Sequence, residues 1–257
     1  MRAPVKKSRL FQSVFLIGLL MFSSAVVVVS QQPQRSPSDT VREFYKAMRE
    51  KRYREAFDLS IYKAAIDPLK PQEFEDLRPD FDKMAAVIPV EVNITGEQIS
   101  GEAATVFVKV KEGDGPEQSE PVTLMRSAGA WVIGDKENLD VVKKAGRQFF
   151  FNARIDTHHD EVQAMLTRIS LAQLVYSQQH NGLFADLATL ITAGLLPKDL
   201  EGVESTGYRF HISSVDAGKS WNAGAEPAQY GRTGKLSFYM DAAGVRSGDK
   251  NGKPLTP

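Results

Sequence analysis

The sequence predicts an α+β fold, and three observations carry that expectation. From Ser38 to about Val87 apolar residues recur at spacings of three and four. From Val90 to Asp135 they alternate, and from Arg147 to His180 a second helical pattern runs without Pro or Gly before giving way to strand-like pieces. Helices followed by antiparallel strands, twice over, describe helix-on-sheet layers and not alternating β-α-β units.

A chain of 257 residues suits one large domain or two small ones. Formal charge is zero, but Arg2, Lys6, Lys7 and Arg9 sit in a leading stretch with no acid, which leaves the remainder with 28 basic against 32 acidic residues. Nothing in that balance provides the clustered cations that a phosphate backbone requires, so no nucleic-acid partner is expected. The absence of cysteine excludes disulfides, thiolate chemistry, Cys-based zinc sites and a lipid-bearing Cys.

Residues 1–30 read as an address. The uncharged apolar run Leu10–Val29 is close to the roughly 20 residues that cross a bilayer as a helix. Val28 and Ser30 also stand at the −3 and −1 positions of a cut after Ser30, so a cleaved signal peptide and a retained anchor both remain open. Either places the body outside the cytoplasmic membrane, with the basic end inside. Residues 31–37 read as a polar, Pro-containing tether.

The first exported segment, 38–144, opens with Ser38 as an expected helix cap and Val41, Phe44, Tyr45 and Met48 on one face. A short turn should bury Tyr53, Ala56 and Phe57 and leave Lys51, Arg52 and Arg54 in water. A third helix, from Pro71, contains Pro79 and is expected to break or kink there. Four strands follow, "VEVNITG", "EAATVFVKVKE", "SEPVTLMRS" and "AWVIGD", separated by turns at "ISG", "GDGPEQ" and "AGA", with Val106, Val108 and Val110 as the buried set. No His lies between residues 31 and 150. Asp58, Asp82 and Asp135 are the acids that could point inward, with Tyr45 or Tyr53 as a donor, although surface or capping carboxylates are the stronger reading.

The order "PSDTVREFYKAMREKRYREAFDLS", then strands, then "GAWVIGD" resembles the nuclear-transport-factor-like, cystatin-like domains of exported bacterial proteins. The resemblance implies a cone-like α+β domain with a curved antiparallel sheet and an internal cavity. That fold hosts enzymes and plain binding domains alike.

The second exported segment, 146–257, begins with the expected long helix, whose apolar stripe is Ile155, Val162, Met165, Leu166, Ile169, Ala172 and Tyr176, broadened by Leu174 and Val175. Within it lies "DTHHDE". His158 and Glu161 share a helical face, as do Asp156 and His159 or Asp160, but a metal needs three or four converging ligands and these alternate around the helix, so a solvated face is expected and no metal site is assigned. Asn181-Gly182 should reverse the chain after His180, which sits where a helix C-terminus favours its charged form. A short helix from Asp186 to Ala193, stopped by Gly194 and Pro197, precedes the strands "GYRFHISSV", "SWNAGAEP", "GKLSFYMD" and "VRS". Trp221 and Asn222 read as strand residues.

"AQLVYSQQHNGLF", "LATLITAGLLPKDL", "GYRFHI" and "LSFYMDAAGVRSGD" resemble the globular half of type IV pilin-like proteins and type II secretion pseudopilins. The resemblance implies a long helix packed on a small antiparallel sheet, with Tyr176 packing the helix, Leu187, Leu190, Leu195 and Leu196 pinning the connection, and Tyr208 and Phe210 leading the sheet. The chain departs from that family by lacking the processed leader that runs directly into the assembly helix, and a whole domain stands in that place. Family members can bind calcium in the C-terminal loop, but Asp249 and Asn251 are too few for a cation that takes six to eight oxygens.

These readings lead to a non-enzymatic exported envelope protein, a scaffold or interaction module with envelope or secretion-apparatus partners and with the membrane through residues 10–29 if these are retained. No catalytic or cofactor-binding residue and no cofactor is assigned. The alternative is a small-ligand-binding or weakly enzymatic cone cavity.

Overall fold

Local chemistry sets where each helix begins and ends. The computed structural model describes residues 35–89, 91–111, 117–203 and 206–256; the N-terminal apolar segment, most of the 31–37 tether, the start of the 113–118 turn and the Val110 side chain lie outside the described set. Helix α1 spans Pro37–Arg49 and is capped by Ser36, whose Oγ accepts the Asp39 N–H at 3.0 Å. The cap is therefore not Ser38. Pro37 fits the first helical position, where an N–H has no partner anyway, and the Ser38 N–H instead donates to Glu97 at 2.8 Å.

Helices α2 (Tyr53–Asp58), α3 (Lys63–Ile66) and α4 (Pro71–Ala86) follow. Tyr53, Ala56 and Phe57 are buried, as their spacing required. The break expected at Pro79 does not occur, and α4 runs through it. An interior proline costs about 3 kcal/mol. The same helix buries Phe74, Leu77 and Phe81, each contributing roughly 1.5–3 kcal/mol, which outweighs that cost.

Strands β1 (Asn93–Ser100), β2 (Ala103–Lys111), β3 (Glu117–Ser127) and β4 (Ala130–Ile133) form an antiparallel meander in chain order. Ile99 and Ser100 belong to β1, not to a turn: Ser100 pairs with Ala103, which leaves Gly101-Glu102 as a two-residue reversal. Ala128 and Gly129 both adopt positive φ at the reversal between β3 and β4, as the primed hairpin turns demand. One sheet face buries Ala104, Val106, Val108, Leu124 and Trp131 together with Val41 of α1.

Helix α5 (Lys136–Ala145) leads through a single 3-10 turn into α6, Phe149–Gln179, a helix of 31 residues. Its first turn belongs to the first half of the molecule, because Phe150 and Phe151 pack into one cluster with Met48, Phe57, Leu77, Phe81 and Val142. Its remainder packs on a second antiparallel meander, β5 (Tyr208–Val215), β6 (Ser220–Pro227), β7 (Leu236–Asp241) and β8 (Gly244–Asp249). From Arg35 onward the chain is one unit.

The stripe on α6 is buried at Ile155, Val162, Leu166, Ile169 and Ala172, but Leu174 and Val175 are 52% and 38% exposed. It widens instead through Gln173, which continues the line of Leu166 and Ile169 at helical spacing. Fully buried, Gln173 donates to the Ala185 carbonyl at 2.6 Å and accepts the Ala185 N–H at 3.0 Å. It thereby satisfies both backbone groups of the segment that returns from Asn181-Gly182, where both residues have positive φ. Gln173→Leu keeps the volume and strands both groups, so a loss of about 2–6 kcal/mol in urea unfolding is expected, at roughly 1–3 kcal/mol per unsatisfied group. A loss below 1 kcal/mol would mean that water replaces the amide.

Helix α7, Leu187–Thr192, is capped by Asp186, whose carboxylate accepts the Thr189 N–H at 2.9 Å. Leu190 and Leu196 are buried while Leu187 and Leu195 pack at the edge, and Tyr208 and Phe210 are buried at the head of β5.

Candidate functional site

Of the acids that could have pointed inward, the structure brings one to a tyrosine. Asp82 on α4 accepts a hydrogen bond from the Tyr53 hydroxyl and pairs with Lys51 at 3.0 Å. Burial, then this carboxylate, pushes the Tyr53 hydroxyl up to about 12, while the hydrogen bonds from Tyr53 and Lys51 hold Asp82 below the ordinary carboxylate range. Near neutrality the phenol therefore keeps its proton and the carboxylate stays ionised, an arrangement that holds a ligand better than it transfers protons. Asp58 pairs with Lys63 at 2.5 Å, Asp135 caps α5 through the Asn138 N–H at 2.8 Å, and Tyr45 packs against the first sheet.

Tyr53 lines a groove of about 590 Å³ with Lys51, Arg54, Phe74, Glu75 and Arg78. The Arg54 guanidinium lies 4.1 Å over the Phe74 ring, within the range of cation–π attraction. Arg78 makes a two-pronged pair with Glu75 at 2.7 and 2.8 Å.

A second constellation escaped the reading of the sequence. Glu73, Asp76 and Asp80 occupy one side of α4 and meet three arginines from the other half of the chain. Arg154 on α6 reaches Asp76 at 3.0 Å and Asp80 at 2.6 Å and donates to the Asp76 carbonyl at 2.6 Å. Arg147 and Arg232 both reach Glu73, at 2.9 and 2.7 Å. The Glu73 side chain is only 6% exposed. The Lys70 backbone N–H, then Arg232, hold its carboxyl below the ordinary range. Arg154 and Arg232 also lie 5.5 and 4.1 Å over the ring of Phe151. The acids at 73, 76 and 80 share a helical face in the sequence, but their partners lie 74 or more positions away.

The "DTHHDE" histidines do not form the solvated face expected of them. Both turn, half-buried, toward the segment between β6 and β7. His158 Nδ1 lies 2.8 Å from the Thr233 carbonyl, and His159 Nε2 accepts the backbone N–H groups of Lys235 and Leu236, each at 3.3 Å. The His159 ring also packs edge-on to Tyr208 and Phe238. Gly207 makes this approach possible, since a Cβ there would lie 2.7 Å from the His158 ring. Asp156, Asp160 and Glu161 are exposed, and among the described residues no three His, Asp or Glu side chains are grouped as metal ligands would be. At the C-terminal end Asp249 accepts the Asn251 N–H at 2.9 Å and the Tyr230 hydroxyl at 2.8 Å. His180, at the end of α6, stacks on Tyr176 with ring centres 3.8 Å apart.

On its outer side α6 leaves Leu171 and Leu174 exposed beside Phe184, Trp221 and the Ala242-Ala243 turn, around a groove of about 390 Å³. Among the described residues no helix is long and apolar enough to cross a membrane. No protein-family model matches the chain, and neither a curated protein nor a solved structure does.

Proposed function

We propose that the chain is a non-enzymatic, exported bacterial envelope protein that acts as a scaffold or interaction module, with components of a secretion or pilus-type system as its partners. The single observation that carries this reading is the way α6 is fastened at both ends: Phe150 and Phe151 in one core, Val162 to Ala172 in the other. Such a joint holds two folded surfaces at fixed spacing, which suits presentation to partners better than turnover. The apolar run Leu10–Val29 supplies export, either as a retained anchor or as a signal peptide cut after Ser30. In this reading the first half is a cone-like domain and the second a pilin-like one, moved from an assembly helix onto a different partner fold.

Residues 31–257, tagged and used as bait on detergent-solubilised envelope membranes, should retain secretion or pilus-assembly components in fixed stoichiometry. A protein that stays monomeric and partner-free under cross-linking overturns the scaffold reading. The mature N-terminus, read by mass spectrometry, separates anchor from released form. A second reading, small-ligand binding, is favoured by the Tyr53–Asp82 pair on the groove beside Arg54. It would appear as thermal stabilisation by a ligand that Arg54→Ala abolishes.

A further inference from the structure

The segment from Gln229 to Lys235, between β6 and β7, is held from three directions, with Leu236 as the first residue of β7. His158 takes its Thr233 carbonyl, His159 takes the N–H groups of Lys235 and Leu236, and its own Arg232 reaches across to Glu73 and the Phe151 ring. Within the segment Gly231 donates to Gly234 at 2.8 Å and Thr233 to Gln229 at 2.9 Å, so it moves as a folded loop.

We propose that His159 is an acid-sensitive catch: protonation of its Nε2 expels the Lys235 and Leu236 N–H groups and releases the 229–235 loop from the long helix, and with it the Arg232 tie to Glu73 on α4. The chemistry is one of donor against donor. In the observed arrangement Nε2 offers a lone pair to two N–H groups, which requires the neutral ring with its proton on Nδ1. A proton on Nε2 removes the acceptor and points a third donor at the other two, inside a wall formed by Tyr208 and Phe238. His158 has no such conflict, because its Nδ1–H donates to a carbonyl in either charge state.

The charged groups facing the ring are Asp156, Asp160 and His158 from α6 and Lys235 from the loop itself; β5 contributes the Tyr208 phenol, which burial keeps un-ionised, and β7 contributes Phe238. The two carboxylates favour the imidazolium and Lys235 and His158 oppose it, but desolvation is the largest influence and holds the ring below its ordinary 6.5. With the folded value depressed, the open loop binds the proton more readily than the closed one. The catch is therefore fully engaged above about 6.5 and loosens as pH falls toward the folded value, tenfold for each unit of pH in between.

Backbone hydrogen exchange of the full exported body, residues 31–257, at pH 7.5 and pH 5 tests this. After correction for intrinsic rates, protection at Lys235 and Leu236 should fall together at the lower pH, while Gly231 and Thr233, bonded within the loop, and the amides paired between Ala225 and Phe238 hold theirs. In His159→Gln, whose amide oxygen still accepts but does not titrate, the fall should vanish. A wild-type measurement needs no variant: the His159 ring nitrogen spectrum should show Nε2 unprotonated at pH 7.5. Protection that is independent of pH, a fall that persists in His159→Gln, or a His159 that titrates at or above 6.5 would each overturn the proposal.

Discussion

Replacing Phe151 by alanine is expected to lower stability by about 3–5 kcal/mol, the cost of emptying a fully buried aromatic site. The ring has no exposed surface and supports Arg154 and Arg232, so its loss also loosens the two guanidiniums that tie the halves together. The chain holds two tryptophans, Trp131 in the first sheet and Trp221 in the second. Single-tryptophan versions therefore report each half separately during urea unfolding. In the parent background the two transitions should coincide; in Phe151→Ala the first-half probe should move to lower denaturant and separate from the second. Coincident transitions with a loss below 1 kcal/mol would mean that the aromatic cluster closes over the gap without help from α6.

Arg154→Ala should cost about 2–4 kcal/mol, somewhat less than the 3–5 kcal/mol of breaking a fully buried pair, because Asp76 and Asp80 are 39% and 30% exposed. The arginine side chain itself is only 9% exposed. Removing it leaves two carboxylates close together on one turn of α4, without the planar fork that bridged them. Arg154→Lys should recover less than half of the loss, since a compact ammonium lacks the planar fork that spans Asp76 and Asp80 while lying over the Phe151 ring. Denaturation at low and high salt separates this cluster from surface pairs such as Lys136–Asp140: the Arg154 effect should persist in salt, and full screening would show the site to be wetter than its burial indicates.

What the sequence made legible followed from local periodicity. The α+β class, the long helix, its stop at Asn181-Gly182, the short helix that follows Asp186 and the buried Val106 and Val108 all follow from spacing and turn chemistry; helix α5 and its cap at Asp135 go unread. Where the reading missed, the cause was distance in sequence. Gln173 falls outside the expected stripe, which takes in Leu174 and Val175 instead, because its partner, Ala185, lies across a turn. Phe150 and Phe151 are assigned to neither core by sequence, because nothing local says that they pack with residues of α4. The histidine pair was legible as chemistry but not as structure, since its acceptors and donors come from a loop more than 70 residues away. That Pro79 does not end α4 has another reason: a penalty visible in one residue is outweighed by three buried side chains around it.

The double anchoring of α6 also restricts which length changes the chain can accept. Each residue advances a helix by about 1.5 Å and turns it by about 100°. One residue inserted near Asp160 would leave Phe151 seated and swing Val162, Leu166 and Ile169 off the second sheet. Four added residues come back to nearly the same angle but shift the sheet along by about 6 Å, past Arg232 and Glu73. The helix therefore sets both phase and length, and its middle is a place where substitutions can accumulate while insertions and deletions cannot.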